Sequence, residues 1–214
     1  MKRTQAQNAY RDIEEMIVKL ELPPGSRISE KALSQQLGYG RTPVREALQR
    51  LAYARLVNIL PRAGAIVTEI DLSAQFKLIE VRRELERILV VRAARLATQK
   101  ACQSFLALIE RFMQVASKED GEMFIDVDHE FNTLVYETAQ NQFAFDAMAP
   151  LQSQTRRFWY LYFRQFGDLK QVCKLHVEIA RAIIDRNEAA ASAASDRLVD
   201  YVEEYSFRTM KALM

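Results

Sequence analysis

The chain has 214 residues, of which 49% are hydrophobic and 27% charged, and its net charge at pH 7 is +2. This composition supports a buried core and excludes a disordered or collagen-like chain. The small net charge does not by itself indicate a nucleic-acid partner. Two cysteines are too few for a disulfide-stapled secreted scaffold, and no apolar run of about 18 residues could span a bilayer. We therefore expect a cytoplasmic protein with no signal peptide and no membrane partner.

Glycine, proline and charge are distributed unevenly along the chain. Four of the six glycines and four of the five prolines lie in the first 64 residues, which predicts short elements there and long helices afterwards. Residues 1–70 carry eleven basic and seven acidic side chains, a net charge of +4, whereas the remainder carries −2. We therefore predict a basic domain over residues 1–70 and a slightly acidic helical domain over residues 71–214.

The first part of the chain shows three helical patterns. Apolar residues at helical spacing between positions 9 and 20 predict the first helix, which ends at a Pro-Pro-Gly turn. A second helix is predicted between an N-cap at Ser29 and an ending at Gly38. After a short turn, a third helix is predicted to open near Arg41, with a proline in its first turn.

Two short strand patterns follow, over residues 56–60 and 65–68. They predict a hairpin with Gly64 at its tip. Arg62 lies in this turn and could reach the DNA backbone or the minor groove. Three helices followed by a hairpin are typical of a winged helix-turn-helix.

One side of the third helix carries Arg41, Arg45 and Gln49 at four-residue spacing, opposite its apolar side chains. Helix-turn-helix proteins place the N-terminal part of this helix in the major groove. Arginine suits guanine O6 and N7, and glutamine suits adenine N6 and N7. Thr42 and the backbone N–H groups of the first turn could hold a phosphate. The alternative interpretation is a solvated basic face with no role in binding.

These segments resemble a known family. The block Arg-Thr-Pro-Val-Arg-Glu-Ala-Leu over residues 41–48, with its flanks at 24–38 and 62–67, resembles the DNA-binding domain of GntR-type bacterial repressors. The resemblance covers about residues 9–68.

The resemblance implies which side chains contact DNA. The matching positions are Arg41, Thr42, Arg45 and Gly64, and Lys31 matches a position that often holds a basic contact residue. Two positions depart from the family. Gly40 stands where Ser or Thr usually caps the helix, and Arg55 stands where a glycine commonly precedes the strand.

From residue 71 onward the pattern is helical throughout. Asp71 is predicted to cap a helix that runs to about residue 98. Further helices are predicted over residues 100–117, 122–139, 142–164 (with a break at Pro150 left open), 168–186 and 188–212. The predicted fold is therefore mainly α: an N-terminal winged helix-turn-helix followed by an antiparallel six-helix bundle.

This bundle resembles the effector-binding FCD domain of the FadR subfamily, and its six helices and short linker favour the VanR-like branch. The resemblance rests on residues 81–86, residues 128–131 with Asn141, and His176 with residues 182–183. Many members hold a divalent metal with one Asp and three His. The resemblance implies that Asp128 and His176 match two of these ligands.

The other two ligand positions are occupied here by Asn132 and Leu198. His129 is no substitute, because it points about 100° away from Asp128 around the helix. Two strong ligands are too few for a tight site, so no metal or other cofactor is expected. Any ion would have only Asp128, Asn132 and His176. Two alternatives stay open: His176 is a hydrogen-bonded core histidine, or these three residues bind an organic effector directly.

Further candidates for an effector site are arginines and tyrosines. Arg82 and Arg156 could each hold a carboxylate, although Arg82 with Glu86 is equally an ordinary i,i+4 helix pair. The aromatic-rich segment 156–164 could face a pocket, the core or a second subunit. Tyr201 and Tyr205 are also pocket candidates.

Together the patterns predict a ligand-responsive transcriptional regulator, a repressor, rather than an enzyme. As a homodimer it would place two reading helices one turn apart on a palindromic operator in double-stranded DNA. Its effector would be a small metabolite carrying a carboxylate. Two rivals are a helical-bundle enzyme that uses Asp128 and His176, and a DNA-binding protein without an effector.

Overall fold

The computed structural model describes residues 4–213, apart from the side chain of Phe166. Within these residues it contains nine helices and one three-stranded sheet, and the chain divides into two compact units. The elements are, in chain order, α1 (Gln5–Val18), β1 (Arg27–Ile28), α2 (Glu30–Leu37), α3 (Arg41–Tyr53), β2 (Val57–Leu60), β3 (Gly64–Val67), α4 (Leu72–Leu96), α5 (Gln99–Lys118), α6 (Gly121–Ala139), α7 (Gln142–Phe166), α8 (Leu169–Ile184) and α9 (Glu188–Leu213). The predicted fold class, a winged helix-turn-helix followed by a six-helix bundle, is confirmed.

The first unit has one apolar core shared by α1, α2, α3 and the sheet. Ile13 and Ile17 lie one turn apart on α1 and are fully buried, as their four-residue spacing requires of one helix face. The same spacing buries the inner side of α3. Its members are Val44, Ala47, Leu48 and Leu51.

The sheet has the strand order β1-β3-β2, and both pairings are antiparallel. β2 and β3 form the predicted hairpin. β1 pairs Arg27 with Ile66 and Ile28 with Ala65. The sequence analysis did not predict β1, because two residues are too short to display the alternation by which strands are recognised.

The hairpin turn explains why a glycine is needed at position 64. Gly64 has a φ of +87°, and a Cβ there would lie 2.1 Å from the backbone oxygen of Ile28. Any side chain would therefore collide with β1 as well as strain the backbone. The resemblance assigned Gly64 to DNA contact, and the structure gives the residue a packing role.

The first unit also includes residues from the middle of α7, Pro150–Leu161. Within this unit, Gln154 Nε2 donates to the backbone oxygen of Ala54 at 3.2 Å. The sequence analysis had assigned this segment to a second domain, because local patterns do not reveal such distant contacts. It also left open a break at Pro150, but α7 continues through that residue.

The second unit consists of Leu72–Ala149 and the chain from Tyr162 onward. In it, α4 packs against α6, α8 and α9, while α5 packs against α6 and α8. Large apolar side chains such as Phe105, Phe112 and Ile125 are fully buried between these helices. Over residues 4–213, no helix is both long and apolar enough to cross a membrane.

Candidate DNA interface and effector site

A cleft of about 620 Å³ lies between α2, the start of α3 and the hairpin. It brings together six of the seven side chains or positions predicted to contact DNA. They are Lys31, Arg41, Arg45, Gln49, Arg62 and Gly64. Thr42 is exposed on the first turn of α3 but is not among the residues that line the cleft.

The polar side of α3 is exposed as predicted. Arg41, Arg45 and Gln49 are solvent-exposed, whereas Val44 and Leu48 on the opposite side have at most 1% exposure. The buried side anchors the helix in the core, so the exposed side is held at a fixed orientation. Such a helix can present its side chains to base edges in a major groove.

α3 begins without a side-chain cap. Its N-cap residue is Gly40, which makes no side-chain hydrogen bond, whereas Ser29 caps α2 through Ala32 N. The first backbone N–H groups of a helix have no partner within the helix, and together with the helix dipole they attract anions. The uncapped end of α3 is therefore suited to a DNA phosphate.

Arg45 is already engaged by an acidic residue of α2. Its Nε lies 3.2 Å from both carboxylate oxygens of Glu30, and its Nη2 lies 3.0 Å from Glu30 Oε2. These hydrogen bonds and the charge of Glu30 raise the pKa of Arg45. The sequence analysis missed Glu30. Its position directly after the Ser29 cap indicated only a helix start.

The hairpin tip presents another basic residue of the cleft. Arg62 is exposed and has a φ of +61°, which places it in the left-handed region. It lines the cleft together with Pro61 and Ala63. This position fits the predicted contact with the DNA backbone or the minor groove.

In the second unit, three predicted residues form one hydrogen-bonded cluster. Asn132 Nδ2 donates to Asp128 Oδ1 at 3.0 Å, and His176 Nε2 lies 3.2 Å from the same oxygen. His176 Nδ1 lies 2.8 Å from the backbone oxygen of Val172. Both ring nitrogens thus face oxygen atoms.

Aromatic rings enclose this cluster. Phe112 stacks on the His176 ring with a centroid distance of 4.8 Å, and Phe124 and Phe131 meet it edge-on at 5.7 and 5.2 Å. His176 is 3% exposed and Asp128 6%. The polar groups therefore interact in a setting where water does not compete, which strengthens each interaction.

A buried ion pair lies on α4 of the same unit. Arg82 donates to Glu86 through Nε at 2.8 Å, and its Nη2 lies 2.7 Å from the same oxygen. Burial alone would lower the pKa of Arg82, but the charges of Glu86 and Asp128 outweigh it and raise that pKa. The i,i+4 pairing considered from the sequence is thus present. The negative charge of Asp128 also contributes to the raised pKa of Arg82.

The residues of this cluster do not fit the metal site of the related domains. Asn132 uses its amide nitrogen on Asp128, and Leu198 is an apolar side chain with 4% exposure. Across residues 4–213 there is no group of three or more His, Cys, Asp or Glu side chains that could hold a metal ion. The donor set is therefore incomplete for a divalent cation.

Two further predicted effector residues, Arg156 and Tyr201, have described contacts with other partners. Arg156 belongs to the first unit, where it is 4% exposed and its Nη2 lies 3.4 Å from Glu15. The hydroxyl of Tyr201 accepts a hydrogen bond from the backbone nitrogen of Asp168 at 2.8 Å. Neither contact joins these side chains to Asp128 and His176. The aromatic-rich pattern of residues 156–164 left a pocket, the core and a second subunit open, because such a pattern does not show to which unit a residue belongs.

The next arginine, Arg157, was not singled out from the sequence. Its Nη1 donates to the backbone oxygen of Thr68 at 3.0 Å, and its Nη2 to that of Glu69 at 3.2 Å. Burial lowers the pKa of Arg157 to about 10, so the guanidinium remains charged at neutral pH. Within the first unit, Arg157 therefore holds the chain segment that directly follows β3 through hydrogen bonds to its backbone.

Two family models match the chain. The model of the gntR family of bacterial regulatory proteins matches residues 5–67, and the FCD domain model matches residues 77–201, which is more than half of the chain. The chain therefore belongs to the GntR-type transcriptional regulators with an FCD effector-binding domain.

Known relatives agree with this family. The chain is 26% identical over 198 residues to the HTH-type transcriptional repressor RspR of Escherichia coli, covering 92% of this chain and 87% of that protein. It is 28% identical over 182 residues to the Nta operon transcriptional regulator of Aminobacter aminovorans, with 83% of each chain covered. Both relatives are named as regulators of transcription rather than as enzymes.

A solved structure shows the same fold. The structure of McbR/YncC of E. coli has a TM-score of 0.85 to this chain, with 20% identity, and covers 98% of this chain and 100% of that one. The fold, a winged helix-turn-helix followed by a helical bundle, is thus shared with a solved structure.

Proposed function

We propose that this regulator is a homodimeric repressor that binds a palindromic operator and responds to a small carboxylate metabolite. The observation that carries the DNA-binding part is the cleft, in which residues from α2, α3 and the hairpin converge. A dimer would place two copies of α3 in successive major grooves, about 34–36 Å apart.

Each residue that was predicted to contact DNA has a chemical role in this proposal. Arg41, Arg45 and Gln49 read base edges, because bidentate arginine and glutamine contacts discriminate between bases. Thr42 and the uncapped start of α3 hold a phosphate. The remaining three positions, Lys31, Arg62 and Gly64, place the protein on the sugar-phosphate backbone.

The effector site of the proposal is the buried cluster of the second unit. Asp128, Asn132 and His176 hold the effector directly, without a metal ion, because the donor set for an ion is incomplete. Arg82 attracts the carboxylate, in competition with Glu86. Arg156 and Tyr201, the other two candidates, stay predictions, and their described contacts are with Glu15 and Asp168.

The two activities must be thermodynamically coupled. If the effector lowers the affinity for the operator by some factor, the operator lowers the affinity for the effector by the same factor. The effector can shift the protein only by the difference in its affinity for the two states. For a repressor that is released by its effector, the effector binds the DNA-free state more tightly.

A selection from random double-stranded DNA tests the DNA-binding part. We expect the full chain to enrich a palindrome whose half-sites are one helical turn apart, and light scattering of the complex to give two chains per duplex. Enrichment of no sequence at moderate ionic strength would contradict the proposal, and enrichment of a single half-site would contradict the dimer.

A thermal-shift screen of organic acids and matched amides tests the effector part. At about 100 times its dissociation constant, an effector that binds one site should stabilise the fold by about 2.7 kcal/mol. A hit should also change affinity for the selected operator. A protein without an effector would show neither change with any acid of the panel.

A further inference from the structure

We propose that Glu30 is a specificity-determining positioning residue: it holds Arg45 in the orientation that reads a guanine and keeps that arginine off the phosphates. This inference rests on the proposed role of the cleft as the DNA interface. To that role it adds a function for Glu30, which is the one acidic side chain among the described residues that line the cleft.

The geometry of the pair fixes which edge of Arg45 is used. A guanidinium has five N–H groups in a planar fork. Glu30 takes the edge formed by Nε and Nη2, at distances of 3.2 and 3.0 Å. The edge formed by Nη1 and Nη2 is not used by Glu30. That edge carries two parallel N–H groups, the arrangement that matches O6 and N7 of guanine.

The pair is placed for recognition rather than for stability. Arg45 keeps 64% of its side chain exposed and Glu30 keeps 28%. Exposed ion pairs contribute little to folding stability. An arginine loses much rotamer freedom when it docks on a base, and a partner that has already ordered it reduces that loss.

The charge of Glu30 has a second consequence. The cleft is lined by Lys31, Arg41, Arg45 and Arg62, which attract phosphates of any sequence. A carboxylate that neutralises Arg45 reduces this attraction. It leaves guanine, which offers acceptor atoms without a full charge, as a better partner than a phosphate. Removing this carboxylate should therefore strengthen binding to DNA of any sequence and weaken discrimination between bases.

The test compares Glu30→Gln and Glu30→Asp with wild type on the operator selected from random DNA, on operators with each base pair changed singly, and on unrelated duplex. Glu30→Gln removes the charge and one strong acceptor at the same side-chain length. Glu30→Asp keeps the charge on a shorter stem. Glu46→Gln is the matched control, because Glu46 is an exposed acidic residue of α3 that does not line the cleft.

We expect Glu30→Gln to lose discrimination by roughly tenfold at one G·C pair only. Its binding to unrelated duplex should strengthen, and the slope of log affinity against log salt should become steeper by up to about 0.9. Glu30→Asp should restore the salt slope but only part of the discrimination. Glu46→Gln should lose no discrimination, and the melting temperatures of all variants should stay close to wild type.

Several outcomes overturn the inference separately from the proposed function. If the selected motif is unchanged in Glu30→Gln, Glu30 does not position Arg45. If discrimination is lost at a pair other than the one that Arg45→Ala affects, Glu30 contacts a base itself. If wild type selects no motif at all, the proposed operator binding fails first.

Discussion

Ser153 donates a hydrogen bond of 2.5 Å to Glu14, a residue 139 positions earlier in the sequence. Both side chains are buried, with exposures of 4% and 8%. The hydroxyl of Tyr10 donates to the same carboxylate oxygen at 2.9 Å. This contact ties part of α7 to α1 within the first unit. The unit that carries the proposed DNA interface is therefore completed by residues from the middle of α7.

Replacing this serine should destabilise the protein. Ser153→Ala removes one donor from a buried carboxylate, which costs about 1.5–3 kcal/mol for a hydrogen bond to a charged group. Unfolding in urea, followed by circular dichroism, measures the difference. Ser104→Ala is the control, because its hydroxyl donates only to Lys100 O on its own helix and such changes stay within about 0.5 kcal/mol. Equal effects of both substitutions would show that the contact contributes nothing.

Removal of the Arg45 side chain should relax the preference for one base. We expect Arg45→Ala to lose about 1–3 kcal/mol of discrimination at a single position of the operator, because a bidentate contact is lost there. Binding titrations with singly substituted operators measure this loss. If affinity falls equally for all sequences, Arg45 contacts a phosphate instead.

Two glycines with similar φ angles should respond differently to replacement by alanine. Gly38 has a φ of +72° and Gly64 one of +87°, but a Cβ at Gly38 meets nothing within 4 Å. Gly38→Ala should therefore cost only the left-handed backbone penalty, about 1–2 kcal/mol. Gly64→Ala adds the collision with Ile28 and should cost more and weaken DNA binding. Equal losses in urea unfolding would mean that β1 moves away freely.

The protein should carry no stoichiometric metal. Protein purified without chelator is expected to contain well under one ion per chain by plasma mass spectrometry, since Asp128 and His176 are the two strong donors of the set. The double variant Asn132→His/Leu198→His serves as the positive control, because it restores the ligands implied by the related domains. One zinc, nickel or manganese ion per wild-type chain would contradict the expectation.

Burial should protect one of the two thiols. Cys173 is 2% exposed, and burial, aided by the charge of Asp128, raises the pKa of its thiol from 9.0 to about 12. Iodoacetamide at pH 8 should therefore label Cys102, which is partly exposed, and leave Cys173 unmodified until urea is added. Peptide mass spectrometry distinguishes the two sites. Rapid native labelling of Cys173 would show that the bundle opens.

The raised pKa of Cys173 also makes the unfolding free energy depend on pH. The folded pKa is above the unfolded one, so the contribution of Cys173 to the unfolding free energy is complete below about pH 9. It is lost as the pH rises from about 9 towards 12. Cys173→Ala should remove this part of the alkaline decline in urea unfolding, and an unchanged decline would contradict it.

The positions that form the cleft of the proposed DNA interface could be predicted from the sequence because their signals are local. Arg41, Arg45 and Gln49 follow helical spacing within one element, and Gly64 marks a hairpin within a few residues of its strands. Glu30 could not be assigned, because its contact with Arg45 joins two helices and leaves no periodic pattern.

The effector cluster was predictable only in part. Asp128 and Asn132 share one turn of α6, so their meeting follows from i,i+4 spacing. Their contact with His176 came from the resemblance rather than from any pattern of residues. The effector role of Arg156 stays a prediction, since its position on a helix face says nothing about which distant element covers that face. Arg157 and Ser153 were missed for the same reason.

Because α3 starts at Gly40 without a side-chain cap, a DNA phosphate would complete its first turn in the proposed complex. A phosphate seated on the first N–H groups would do for α3 what the hydroxyl of Ser29 does for α2. The stability of that first turn then depends on whether the protein is docked. We therefore expect the first amides of α3 to exchange their hydrogens with water more slowly on the operator than in the free protein.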